Sequence, residues 1–219
     1  MDVEFIRAYM PMFAEAAGMT LRISFLGILL STVIGLFCSL VKIFRVPVLK
    51  SIVNGYIEVS RNTPLLIQLF FLYFGLPKIG VVLSSETCAV TGLAFLGGSY
   101  MAEAFRTGIE QVPVIQSESG LSLGLTKGQV FQYIILPQAV ATSVPVFCAN
   151  IIFLIKETSV FSAVALADLM FVAKDLIGIY YKTDEVLLML VASYLMILLP
   201  ISFLCSFIER RVRYAEFGN

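Results

Sequence analysis

Residues 107–138 read TGIEQVPVIQSESGLSLGLTKGQVFQYIILPQ. They are mostly polar, punctuated by glycine and proline, and too long for a simple connection between two helices, so they must hold structure of their own. On both sides the chain is oily. Of its 219 residues 59% are hydrophobic and 14% charged, with mean hydropathy +0.94, against about 45–50% apolar and about 25% charged in a soluble domain. The apolar residues fall into blocks of about 20, the length that crosses roughly 30 Å of hydrocarbon as a helix. The expected fold is all-α: one polytopic membrane domain with a structured internal loop.

About five spans are expected. The first covers residues 20–41 and ends in Lys42, Arg45 and Lys50, a basic cluster typical of a cytoplasmic loop. The second, 53–76, opens with Glu58, Arg61, Asn62 and Thr63 and stops near Pro77, Lys78 and Gly80. The third, 89–105, is weakened by Gly97 and Gly98 and followed by Arg106. The fourth, 139–160, carries Pro145, Asn150 and Lys156-Glu157-Thr158-Ser159, and the fifth, 186–207, ends in Glu209-Arg210-Arg211-Val212-Arg213. Residues 163–179 are amphipathic, interrupted by Asp168, Lys174 and Asp175, and read as a partly exposed helix outside the bilayer core.

An odd number of spans puts the termini on opposite sides. With the C-terminus inside, Lys42, Arg45, Lys50, Arg106, Lys127, Arg210, Arg211 and Arg213 are cytoplasmic and Arg7, Lys78, Lys174 and Lys182 are outside, the arrangement the positive-inside rule favours. The chain then divides into an extracytoplasmic segment 1–18, a membrane domain 19–208 and a cytoplasmic tail 209–219. Asp2, Glu4 and Glu15 replace the basic start of a signal peptide, so the first apolar block is expected to be retained.

Composition narrows the chemistry. Lys+Arg 15 against Asp+Glu 15 gives zero net charge and no hint of nucleic acid. Histidine is absent, which removes imidazole metal ligands, Ser-His and Cys-His pairs and imidazole proton relays. Cys38, Cys88, Cys148 and Cys205 stand singly, without a CxxC spacing, and read as packing residues. No Gly-Lys dipeptide occurs, so a phosphate-cradling Walker A loop is impossible. The expectation is neither an enzyme nor a metal protein.

Polar residues inside the spans still need a reason, since ionisable groups at membrane depth face a cavity or a partner. Asn150 and Glu157 are seven apart and share a helix face. They could hold a ligand, with Glu157 accepting from an ammonium group and Asn150 orienting it, or form an interhelical network. Lys156 points to a neighbouring face and could pair with an acid or snorkel. Arg61 and Glu103 form an opposite-charge couple on adjacent spans, for which Arg106 competes, and with Glu58 and Lys156 they read as a structural polar network. Gln68 could line a pathway. Pro64 and Pro145 break helical hydrogen bonding, which membrane helices tolerate beside a cavity or at a bend. An ion-coupled transporter using Glu58, Glu103 and Glu157 is the alternative, although the two internal repeats such proteins usually need are not visible.

Within residues 107–138, Glu118-Ser119-Gly120, then Gly124, then Ile134-Ile135-Leu136-Pro137 suit a short helix, a glycine able to take positive φ, and a second helix meeting the first at a corner. The pattern resembles the EAA loop of bacterial ABC-importer permeases, with Ser119 and Gly120 where that family usually has alanines. Glu58-Val59-Ser60-Arg61-Asn62-Thr63-Pro64-Leu65-Leu66-Ile67-Gln68 resembles the E-x-x-R-x-T-P-L-x-x-Q signature of its polar amino-acid branch. Tyr100-Met101-Ala102-Glu103-Ala104-Phe105-Arg106, Leu136-Pro137-Gln138-Ala139 and Asn150 with Lys156-Glu157-Thr158-Ser159 are similar to further motifs of that branch.

The resemblance implies an inner-membrane transport subunit that moves polar amino acids inward. It implies a cytoplasmic ABC ATPase dimer whose grooves receive residues 118–124 of each permease, with Pro137 opening the next span. It also implies a second permease half, identical or homologous, and an extracytoplasmic binding protein docking on residues 77–87 and 166–185. ATP and Mg would be bound by the partner subunits, with no cofactor in this chain, which the lipid bilayer surrounds.

Overall fold

The computed structural model describes residues 1–44 and 46–217, with side chains as far as Val212. Arg45 and the side chain of Arg213, both counted in the charge argument above, lie outside the described residues. Among the described residues helices are the regular structure, joined by short turns, with no strand.

Helix α1, Val3–Ile43, starts at Asp2, whose carboxylate accepts from the Phe5 N–H. Its 41 residues rise about 60 Å at 1.5 Å each, well beyond the roughly 30 Å hydrocarbon layer. The expected first span is therefore the second half of one long helix. Residues 3–18 continue it, and Phe13 and Ala16 pack in a cluster with Leu169, Val172, Val186 and Met189.

The expected second span is broken. Helix α2, Pro47–Arg61, ends at Asn62, and helix α3, Leu65–Phe70, begins after an extended Pro64 and runs on through a π turn Phe71–Gly75 and a 3-10 turn Leu76–Ile79. Proline disfavours a helical conformation at the residue before it, here Thr63. Gln68 repairs the break: its Nε2 donates to the carbonyls of Ser60 (3.1 Å) and Thr63 (2.9 Å).

Helix α4, Ser85–Glu110, runs parallel to α1. Arg22 pairs with Glu86, the Ser31 hydroxyl donates to the Leu93 carbonyl, and Lys42 pairs with Glu103. Its glycines admit neighbours: a Cβ on Gly92 would lie 2.8 Å from Leu69 Cδ2, and one on Gly98 would lie 2.6 Å from the Tyr56 hydroxyl. Small residues at such contacts let membrane helices approach closely. Enclosed by α1, α2, α3 and the later helix α7, α4 meets protein rather than lipid. This explains why the helices long and apolar enough to cross a membrane are Val3–Ile43, Lys127–Val164 and Thr183–Val212, while α4 is absent from that set.

The polar stretch folds into α5, Val114–Ser122, and α6, Lys127–Val130, which passes through a π turn Phe131–Ile135 into α7, Leu136–Glu157, and a 3-10 turn Thr158–Val164. Helix α7 runs antiparallel to α4, with Thr142 Oγ1 on the Gly108 carbonyl and Asn150 Nδ2 on that of Tyr100.

Helix α8, Leu169–Tyr180, is shorter than expected, and Asp168 does not interrupt it. Asp168 is its N-cap, fully buried, with Oδ1 accepting from the Phe171 N–H. Burial pushes the carboxyl up to about 6. Helix α9, Thr183–Phe217, starts beside the first residues of α1, where Glu185 accepts from the Asp2 N–H and Lys182 pairs with the Asp2 carboxylate. The crossings are thus α1, α2 with α3, α4, α7 and α9, and the termini lie at opposite ends.

Candidate functional site

The elbow between α4 and α7 is a built structure. Helix α5 closes with a Schellman arrangement: the Leu125 N–H donates to the Gly120 carbonyl at 3.1 Å and the Gly124 N–H to that of Leu121 at 3.0 Å. Gly124 has φ +86°, a left-handed conformation that costs other residues about 1–2 kcal/mol. A Cβ there would meet nothing within 4 Å, so the constraint is conformational. Thr126 then caps α6 in a reciprocal box with Gln129, and Pro137 sits in the first turn of α7.

Two faces result. Inward, Gly120 is buried, and a Cβ on it would lie 2.6 Å from Ile134 Cδ1 and 3.0 Å from Val130 Cγ2. The Gln138 amide donates to the side-chain oxygen of Gln116 and to the Ile134 carbonyl (2.8 Å), tying α5 to the base of α7. Outward, Glu118 and Ser119 are exposed beside Val114, Ile115 and Leu123, the last 83% exposed. Of the two small residues after Glu118, only Ser119 faces out; Gly120 serves the elbow's own packing. An apolar patch rimmed by polar groups on a loop is the signature of a protein partner.

Inside the bundle Glu103 gathers cations. Lys42 Nζ lies 3.1 Å from one oxygen and Arg106 Nη2 2.7 Å from the other, while Arg61 Nη1 stays at 4.0 Å. Arg106, one turn along the same helix, has the shorter reach. Lys42 had not been expected: its proximity depends on the α1–α4 register, which no local sequence pattern reveals. Arg61 lies 5.0 Å over the Tyr100 ring, within the range where a guanidinium is drawn to an aromatic face. Glu58, one turn earlier on α2, makes no ion pair among the described residues.

On α7, Asn150 Nδ2 donates 3.1 Å to the Tyr100 carbonyl and Phe153 packs on the Tyr100 ring at 5.0 Å. Glu157 follows two turns after Asn150 and is partly buried; Lys156 is exposed. Gln68 is buried, with Oε1 lacking a hydrogen-bond partner, and borders an apolar cavity of about 460 Å³ with Thr63, Thr91 and Phe95.

A long parallel pair of helices, an elbow presented at one end, and polar residues along a broken crossing agree with one family pattern: that of the binding-protein-dependent transport system inner membrane component, which matches residues 7–214. The chain belongs to this family. GlnP, the glutamine transport system permease protein of Escherichia coli K12, is 32% identical over 205 residues, 93% of this chain and 94% of that protein. YckA of Bacillus subtilis, a probable amino-acid ABC transporter permease protein, is 36% identical over 168 residues, 77% of this chain and 74% of that one. A chain in the crystal structure of an amino acid ABC transporter with histidines superposes with TM-score 0.91 at 34% identity, covering 96% of this chain and 99% of that one. The inward-facing methionine transporter MetNI shares the fold, with TM-score 0.76 at 21% identity over 94% of this chain and 98% of that one.

As an inner membrane component of such a system, this permease is a transport subunit rather than an enzyme, and it works with a separate ATPase and a binding protein.

Proposed function

We propose that this permease is the membrane half of an ABC importer for polar L-amino acids, with its elbow, residues 107–138, in the cytoplasm. The observation that carries the reading is the elbow itself, a Schellman-closed helix exposing Glu118, Ser119 and Leu123. The relatives named for glutamine and other amino acids support the cargo class. Orientation follows from charge: Lys42, Lys50, Arg106, Lys127, Arg210 and Arg211 lie at the elbow end. The other end carries Arg7, Lys78, Lys174, Lys182 and an Arg22 paired with Glu86, and the richer basic end belongs inside.

Five crossings give too little perimeter to enclose a polar ligand, so a second permease, identical or homologous, completes the pathway across a two-fold axis. Asn150, Glu157 and Gln68 contribute to that pathway from this chain. ATP and Mg act on the ATPase pair, whose closure drives the elbows together and turns the pathway outward; hydrolysis releases it inward, a shift between two states that nucleotide must bind unequally. The ion-coupled alternative finds no support among the relatives.

Reconstitution tests the reading. In liposomes holding ATP, with the cognate ATPase and binding protein, wild type should accumulate labelled amino acids without an ion gradient. Glu118→Lys should abolish accumulation while the subunit still inserts and folds, since an exposed substitution changes stability by about 0.5 kcal/mol or less. Accumulation that needs an ion gradient and ignores ATP would sink the proposal.

A further inference from the structure

Beside the break between α2 and α3 lies a polar cavity of about 540 Å³, lined by Asn54, Ile57, Glu58, Arg61, Asn62 and Tyr100. Its charges are arranged unusually. Glu58 and Arg61 are one turn apart on α2, a spacing at which opposite charges ordinarily pair, yet no ion pair joins them among the described residues. Arg61 is drawn instead over the Tyr100 ring and toward Glu103, 4.0 Å away. That carboxylate is already engaged by Lys42 and Arg106, so Arg61 keeps charge to offer. Glu58 keeps a carboxylate with no cation among the described residues, while Asn62 Nδ2 donates to the Glu58 backbone carbonyl at 2.8 Å.

A cavity lined by a cation and an anion that do not pair with each other is complementary to a zwitterion. We infer that this cavity is the subsite for the α-ammonium and α-carboxylate groups shared by all L-amino acids, an inference that rests on the importer reading. Arg61 receives the carboxylate through its planar fork, which matches two oxygens at once, and Glu58 receives the ammonium. Tyr100 joins this subsite to Asn150, because its ring supports Arg61 and its carbonyl holds the Asn150 amide. Recognition of the amino-acid class then falls to α2, and the side chain of the cargo extends along the Asn150, Phe153 and Glu157 stripe of α7, which selects among amino acids.

The test uses the complete transporter, with its ATPase and binding protein, in liposomes enclosing ATP and supplied with a ¹⁴C-labelled mixture of the protein L-amino acids. Arg61→Gln and Glu58→Gln should each lower uptake by about tenfold or more, as expected for losing a hydrogen bond to a charged group. Uptake should fall at least fivefold further than ATP hydrolysis stimulated by the binding protein, and Arg61→Lys, which keeps the charge without the fork, should recover part of it. Normal uptake by both neutral variants would overturn the subsite, as would hydrolysis falling in step with uptake, which marks Arg61 and Glu58 as purely structural. Wild type that takes up nothing with ATP would instead overturn the importer reading.

Discussion

Gly120 on α5 and Ile134 in the π turn before α7 approach so closely that a Cβ on the glycine would lie 2.6 Å from Ile134 Cδ1. That atom is the far end of a flexible side chain, so Gly120→Ala needs only a small rotation and should leave ATP-driven uptake within about twofold. Gly120→Leu must push α5 off the π turn, an overpacking that costs about 1–3 kcal/mol, and should uncouple uptake from hydrolysis. Full uptake by the leucine variant would show that the elbow is not a rigid unit.

At Gly124 the constraint is backbone alone. Gly124→Val should destabilise the elbow by about 1–2 kcal/mol, and Gly124→Asn by less, because asparagine visits the left-handed region more readily. The order glycine, asparagine, valine should appear both in melting temperature of the purified transporter and in uptake. Equal behaviour of asparagine and valine would contradict a requirement for positive φ.

Gln68 has two candidate roles that one substitution separates. Gln68→Leu keeps the bulk but leaves the Ser60 and Thr63 carbonyls without their donor at membrane depth, a loss of about 1–3 kcal/mol. A lowered melting temperature in detergent is expected. Reduced uptake with an unchanged melting curve would mean that Gln68 serves the pathway and not the break.

Asp168 supplies a pH test. Burial raises its carboxyl from 3.8 to about 6, so the folded state favours the protonated form. Its favourable contribution is complete below about pH 4 and is lost as pH rises through about 6. Asp168→Asn retains a capping side chain without the charge. Between pH 4 and 7 the wild-type melting temperature should fall relative to that of the variant; parallel curves would remove Asp168 as the cause.

The elbow was legible because its determinants are local. A glycine in the left-handed region and a proline in a first helical turn act within a few residues, so the spacing of Gly120, Gly124 and Pro137 carries the geometry. Asp168 was misread for the opposite reason: a buried N-cap and an exposed aspartate look alike until the packing of α8 on α1 and α9 is known. The break at 62–64 was half legible. Pro64 announced it, but hydropathy ran through it, since Gln68 satisfies the freed carbonyls without adding charge.

By itself the sequence determined that the chain lives in lipid, how many times it crosses, and that residues 107–138 form a corner, because hydrophobic length and turn chemistry are properties of short segments. Only the tertiary structure decided which charges meet. Lys42 takes Glu103 and Arg61 is left to Tyr100, because these outcomes depend on the relative register of α1, α2 and α4. That register comes from small residues interlocking across helices far apart in the chain.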